Sequence, residues 1–167
     1  MKDALTIHRA LLEREIVHEI VRLPVAIGGA DELPGALGLR SGRCLVTRVY
    51  ACNDVHREQR FLVGTIVPAG VHPPTDLVRR AVGARLIRPA RADLVNAVTE
   101  YAAELVCPLL LPDTMPLLID ESVVDGLGVD DVVYTATGEP STALGIRALD
   151  LYALCGAKPL RLPAPAS

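Results

Sequence analysis

Aromatic residues are scarce in this sequence, and their scarcity limits how the core can be built. Only 3% of the 167 residues are aromatic, with one Phe, four Tyr and no Trp, although 50% are hydrophobic. The core must therefore consist mainly of Val, Leu, Ile and Ala, which favours strands covered by helices over a sandwich with aromatic anchors. The length suits one domain with a single core.

Long apolar runs and a strong net charge are also missing. No run approaches the ~18 apolar residues of a membrane span, and the opening MKDALTIHRALLERE lacks the apolar core of a signal peptide. We therefore expect a cytoplasmic protein. The formal net charge is −3, so any contact with nucleic acid has to come from a local basic patch.

The cysteines follow no metal-binding pattern. The sequence has no C-x-x-C pair, and no His stands at metal-ligand spacing from Cys44, Cys52, Cys107 or Cys155. We expect no metal and no other cofactor. Free, mostly buried thiols fit a reducing compartment, and paired disulfides are the alternative, because spacing alone does not decide between them.

General catalytic signatures are absent as well, so the chemistry has to be sought elsewhere. There is no P-loop, no G-x-S-x-G elbow, no H-E-x-x-H and no G-x-G-x-x-G. The four histidines are scattered along the chain and form no cluster in sequence.

Hydrophobic periodicity predicts a mixed α/β domain. Ala4, Ile7 and Leu11 recur at helical spacing, and strand patterns follow at 16–24, 43–52 and 61–67, the last two forming a hairpin. Asp31 is the expected N-cap of a helix at 32–37 that ends at Gly38. Further helices are expected at 76–82, 93–103 and 150–155, and further strands at 84–87, 117–120, 129–137 and 158–162.

One segment, RRAVGARLIRPAR, is strongly basic. A guanidinium group binds phosphate through two hydrogen bonds, so this segment is a candidate nucleic-acid contact. The alternative is a solvated helix and turn whose arginines pair with Asp76 and Asp93. The arginines concerned are Arg79, Arg80, Arg85, Arg88 and Arg91.

The motifs together resemble a known family. An opening helix followed by IVHEIV and ADELPGALGL, then RCLVTRVY, FLVGTIVPAG and LVRRAVGARLIRPA, is continued by VTEYAAELVCP, PLLIDESVV, VVYTATGEPSTALGI and DLYALCGAKPLRL. In this order and spacing nearly the whole chain resembles the YbaK-like aminoacyl-tRNA deacylases, which include the prolyl-tRNA synthetase editing domain. The resemblance implies one domain over 1–162, with a mixed, partly barrel-like sheet and short helices, and a disordered tail at 163–167.

Family members hydrolyse the ester that joins a wrong amino acid to the 3′ end of tRNA, which maintains translation fidelity. The resemblance implies a mechanism without metal, in which a Lys, the backbone N–H groups of a Gly-x-x-x-Pro loop and a glycine turn position the ester. Here Val46 stands at the Lys position and Thr47 at the family's Thr. Pro108 matches the loop proline, while Glu104 replaces its glycine.

The resemblance leads to an expected set of site residues. We expect Arg48 and Thr47 to act in catalysis, because Arg48 shares a strand face with Val46 and its guanidinium can bind a phosphate or carbonyl. Glu104 is expected to pair with Arg48 or to contact a substrate amine. The basic segment is expected to bind the tRNA. The expected substrate pocket consists of Val46, Glu104, Leu105, Val106, Cys107, Pro108, Ala136, Thr137, Gly138 and Thr142.

Two functions follow from these observations. The first is a trans-editing hydrolase whose partner is a tRNA 3′ end carrying a wrong amino acid. The second is a catalytically inactive member of the same fold that binds tRNA, an aminoacyl group or a protein. The replaced Lys and glycines favour the second function, and the retained Thr47, Pro108 and basic segment favour the first.

Overall fold

The computed structural model of the chain describes residues 1–54, 56, 59–128 and 130–163. Its helices are α1 (Ala4–Glu13), α2 (Leu33–Leu37), α3 (Thr75–Val82), α4 (Ala92–Thr99), α5 (Glu121–Gly126) and α6 (Ala148–Cys155). Its strands are β1 (His18–Arg22), β2 (Leu45–Asp54), β3 (Arg60–Pro68), β4 (Ala84–Pro89), β5 (Leu117–Asp120), β6 (Val132–Ala136), β7 (Thr142–Arg147) and β8 (Lys158–Leu160). The expected tail lies outside the described residues except for Pro163.

Two sheets form the framework. The larger has the order β4-β2-β3-β5-β8, in which β2 is antiparallel to β3 and β4, while β5 pairs in parallel with β3 and β8. The smaller is antiparallel with the order β1-β7-β6. In the described part of the chain a single parallel bridge, Cys44–Tyr134, joins them. The predicted mixed α/β fold is confirmed.

Strand β2 separates two parts of the core. Leu45 and Val49 point to the core that contains α1 and α6, whereas Val46 packs among residues of the small sheet and α2. Successive strand residues point to opposite faces, so Thr47 lies on the side of Leu45 and Arg48 on the side of Val46. This alternation decides which expected site residues can meet.

The helix expected at 93–103 is shorter than predicted. It ends at Thr99 because Glu100 adopts a left-handed backbone with φ 63°. The Thr99 hydroxyl donates to the carbonyl of Val95 and accepts from the N–H of Tyr101, which fixes the turn. The residues that follow, Ala103–Leu105, form a separate 3-10 turn.

The predicted N-cap role of Asp31 is wrong. Asp31 lies inside a 3-10 turn, Ala30–Glu32, that precedes α2. Its carboxylate instead binds Arg48 and the N–H of Gly70. The predicted end of the helix at Gly38 is confirmed, since Gly38 has φ 67°.

All four cysteines are free thiols, as expected. Burial raises the pKa of Cys44, Cys52 and Cys107 to about 11, and it also raises that of the half-buried Cys155. The thiols are therefore protonated at neutral pH. None of the described helices has the length and apolar character needed to cross a membrane.

Candidate functional site

Three segments that are distant in sequence meet beside the middle of β2. Val46, Leu105 and Ala136 belong to one buried cluster, and none of them is more than 6% exposed. Ile27 and Leu33 are among the other members of this cluster, which we call the Val46 cluster. The strand, the proline-ended loop and the last turn of the expected site are thus brought together, around apolar side chains.

The proline-ended loop is covered closely by the segment before α2. A Cβ atom on Gly29 would lie 3.4 Å from Cβ and 3.6 Å from the carbonyl oxygen of Glu104. The N–H groups of Gly28 and Gly29 donate to the Glu32 carboxylate at 2.6 and 2.9 Å, which holds this segment in place. Glu104 itself is exposed. The glycine pair therefore allows the backbone to approach the loop and shapes the outer wall of the cluster.

The same loop presents backbone donors. The N–H of Leu105 donates to the carbonyl of Ala102 at 2.9 Å, but within the described residues the N–H groups of Val106 and Cys107 donate to no acceptor. Both residues are buried. Buried N–H groups are nearly always paired. A free buried donor is suited to bind a carbonyl oxygen and the negative charge it develops during acyl transfer. Val106 is extended, with φ −66° and ψ 128°, so the two N–H groups point in different directions and each can bind a separate acceptor.

Arg48 is held by a network on the rim of this region. Its Nη1 and Nη2 donate to the two carboxylate oxygens of Asp31 at 3.0 and 2.9 Å, and its Nε donates to the carbonyl of Val71 at 2.7 Å. The hydrogen bonds from Arg48, helped by the N–H of Gly70, hold the pKa of the Asp31 carboxyl below its usual range. Arg48 therefore pairs with Asp31, and the expected pair with Glu104 is not formed.

Thr47 lies on the opposite face of β2. Its methyl group is 3.4 Å from the place where a Cβ on Gly64 would lie, close to Met115 and Leu117. Its hydroxyl is buried, and no hydrogen-bond partner for it is found in the described chain. The two residues expected to act in catalysis, Thr47 and Arg48, are thus separated by the strand.

The last turn of the expected site packs against the start of the chain. Gly138 has φ 93°, and a Cβ there would lie 2.6 Å from the carbonyl oxygen of Lys2 and 2.9 Å from the Tyr101 ring. The hydroxyls of Thr137 and Thr142 are hydrogen-bonded at 2.7 Å across the turn. Ala136 thus reaches the Val46 cluster, while the residues after it fix the turn.

The basic segment is partly neutralised by its own acidic neighbours. Arg79 and Arg80 both donate to Asp76, which lowers the pKa of that carboxyl. Arg91 lies 3.4 Å from Asp93. These three arginines form the pairs that the alternative interpretation expected.

Arg85 and Arg88 differ from the other three arginines. Both are exposed on β4, the edge strand of the large sheet, and neither forms an ion pair with a described residue. Arg88 lies opposite Ala51 of β2, whereas Arg85 lies at an irregularity in the ladder, where the register between β2 and β4 shifts. They are two exposed cations on the edge of the sheet.

Among residues 1–54, 56, 59–128 and 130–163, no group of three His, Cys, Asp or Glu side chains is close enough to hold a metal ion.

The sequence interpretation assigned no role at the site to Asp31, Ile27 or Leu33. Only tertiary contact reveals them, because their partners lie far along the chain.

No family model and no curated protein sequence matches this chain, but solved structures are similar to it. A hypothetical protein has a TM-score of 0.76 at 18% identity, with 93% of this chain and 97% of the other covered. A scaffold protein from computational epitope grafting has 0.75 at 24%, covering 96% of each chain. A "putative trans-editing enzyme for prolyl tRNA synthetase" has 0.74 at 24%, covering 93% of each. These similarities show the fold.

Proposed function

We propose that the chain is a trans-editing hydrolase that cleaves the ester between a wrong amino acid and the 3′ end of a tRNA. The observation that carries the proposal is the pair of free N–H donors at Val106 and Cys107, next to Leu105 of the Val46 cluster. The similarity in fold to a putative trans-editing enzyme supports the same class of reaction.

The chemistry proposed for this site rests on orientation. The ester carbonyl oxygen accepts from one of the N–H groups of Val106 and Cys107, the other donates to a second oxygen of the substrate, and the small apolar side chain of the amino acid lies beside Leu105. Water held by a ribose hydroxyl then attacks the carbonyl carbon, and the N–H donor stabilises the negative charge on the carbonyl oxygen. When the intermediate collapses, the bond to the tRNA 3′ oxygen breaks, that oxygen takes up the proton lost by the water, and the amino acid leaves as a free acid. One such donor contributes about 3 kcal/mol to the transition state. An ester is already activated, so the site needs little further chemistry.

The charged residues have supporting roles in this proposal. Arg48 is a positioning residue, because it ties β2 to Asp31 and to the loop at Val71. The exposed Arg85 and Arg88 contact tRNA phosphates, and Arg79, Arg80 and Arg91 add charge that their acidic partners reduce. We place the reaction in the cytoplasm, where tRNA is charged.

The test is deacylation of a panel of tRNAs charged with noncognate amino acids. We expect release of at least one amino acid above the spontaneous rate. Leu105→Ala enlarges the space for the substrate side chain, so it shifts the preference toward a larger amino acid by about ten-fold. The readout is the ratio of release rates for a small and a larger amino acid.

Leu109→Ala is the matched control for this test. Leu109 and Leu105 are 5% and 6% exposed, but Leu109 belongs to the core on the other side of β2. Each truncation costs about 2–5 kcal/mol of stability, so circular dichroism must first show that both variants are folded. An equal change of preference in both variants would contradict the site.

A binding module without hydrolysis is the second candidate. Val46 is buried where the resemblance implies a Lys, and the guanidinium of Arg48 uses three of its five N–H donors on Asp31 and Val71. If no amino acid is released across the panel while mischarged tRNA still binds, this second function is supported and the first is refuted.

A further inference from the structure

A groove runs between α1, α6 and the segment 108–118. Its volume is about 720 Å³, within the ~300–1,000 Å³ typical of small-molecule sites. Apolar side chains from all three elements line it, among them Ile7, Leu11, Leu109, Met115 and Leu154.

The groove is separate from the Val46 cluster. Ile7, Leu11 and Leu109 belong to the core on the Thr47 side of β2, whereas Val46 lies on the opposite side. Of the residues expected from sequence to bind substrate, only Pro108 lines it. An occupant of this groove is therefore a different ligand from the ester proposed above.

The wall of the groove is held in a fixed shape. Leu110 has φ 62° and is 38% exposed, and a left-handed backbone costs a non-glycine residue about 1–2 kcal/mol. The carbonyl of Leu110 accepts from the Lys2 ammonium, and the carbonyl of Leu109 accepts from the Tyr101 hydroxyl at 2.7 Å. A wall fixed in this way loses little conformational entropy when a ligand binds.

Three charged side chains line the groove: Arg14, Lys158 and Asp113. All three are exposed, and none forms an ion pair within the described part of the chain. Two cations against one carboxylate leave a single positive charge beside an apolar surface. This combination complements a monoanion with an apolar tail better than a doubly charged phosphate ester.

From the volume, the apolar side chains that line part of the groove and this charge balance, we propose that the groove binds an alkyl carboxylate of the medium-chain fatty acid class. The alkyl tail lies along Leu11, Leu109 and Met115, and the carboxylate is bound by Arg14 and Lys158. The proposal does not depend on the deacylase function, since none of Val46, Leu105, Val106 and Cys107 lines the groove.

Calorimetric titration with decanoate, below its critical micelle concentration, tests this proposal. We expect binding with a Kd below about 1 mM, and weaker binding of decanol and decyl phosphate. Arg14→Gln and Lys158→Gln each weaken decanoate binding about three-fold, whereas Asp113→Asn tightens it about two-fold. Arg9→Gln, on the same helix but outside the groove, leaves the Kd unchanged.

A blocking variant makes the test independent of charge. Ala10 is a half-buried residue of the groove, so Ala10→Trp fills the groove from its edge and abolishes decanoate binding. Ala97→Trp, at an exposed position of α4, is the control and retains binding. The proposal is overturned if the wild type does not bind decanoate, if Ala10→Trp binds it normally, or if decyl phosphate or decanol binds as tightly.

Discussion

Gly138→Ala is expected to lower the free energy of unfolding by about 3–4 kcal/mol. The backbone at Gly138 has φ 93°, a conformation that costs alanine about 1–2 kcal/mol. In addition, the new methyl group would lie 2.6 Å from the carbonyl oxygen of Lys2 and 2.9 Å from the Tyr101 ring, and neither a backbone atom nor a buried ring can move away easily. Urea unfolding measures the loss.

Gly83→Ala separates the two causes. Gly83 ends α3 with φ 67°, but a Cβ there meets nothing within 4 Å. Only the cost of the left-handed backbone applies here, so we expect the free energy of unfolding to fall by about 1–2 kcal/mol. Equal losses in the two variants would mean that the turn at Gly138 does not pack against the start of the chain.

Arg48→Ala is expected to lower the free energy of unfolding by about 2–3 kcal/mol at pH 7. Arg48 is 13% exposed and Asp31 43%, so solvent screens much of the attraction between their charges. The larger part of the loss comes from the Val71 carbonyl, which loses its donor, and from the packing of the Arg48 stem. Arg48→Lys recovers only part of the loss, because an ammonium cannot form the two-pronged contact with Asp31.

The effect of Arg48→Ala depends on pH in a defined direction. Arg48 lowers the pKa of Asp31 in the folded state, so this contribution is fully present above the unfolded pKa of about 3.9 and is lost as the pH falls through the lower folded pKa. The difference in stability between wild type and Arg48→Ala therefore shrinks below about pH 4. In an Asp31→Asn background the pH-dependent part disappears. A difference that stays constant or grows in acid would contradict the pairing.

Local patterns in the sequence predicted the hairpin of β2 and β3, because ten- and nine-residue strands repeat their alternation often enough to be recognised. Strand β7 was missed, although it is the centre of the small sheet. Its Gly145 suggests a turn in sequence, but the structure uses it for packing: a Cβ there would lie 2.9 Å from both Glu19 and Tyr134 on the neighbouring strands. Such a reason is visible only after the strands are paired.

At the candidate site, too, part of the arrangement could be predicted from sequence, whereas some contacts between distant residues could not. The order of motifs was sufficient to predict that Val46, Leu105 and Ala136 meet. The partner of Arg48 was not predictable, because Asp31 lies 17 residues away, where its position before α2 suggested an N-cap. Helix α5 was missed for a related reason: it has six residues, and Asp120, expected to end a strand, caps it by accepting from the N–H of Ser122.

Amide NMR of the ¹⁵N-labelled protein tests the central claim most directly. The ligand is adenosine carrying an amino acid at its 3′ position through an amide, which replaces the ester and is not hydrolysed. We expect the signals of Val106 and Cys107 to shift most, toward the proton frequencies of hydrogen-bonded amides, because oxygen atoms of the ligand become their acceptors. Saturating ligand that leaves both signals in place, while other residues respond, would contradict the assignment of this loop as the ester-binding site.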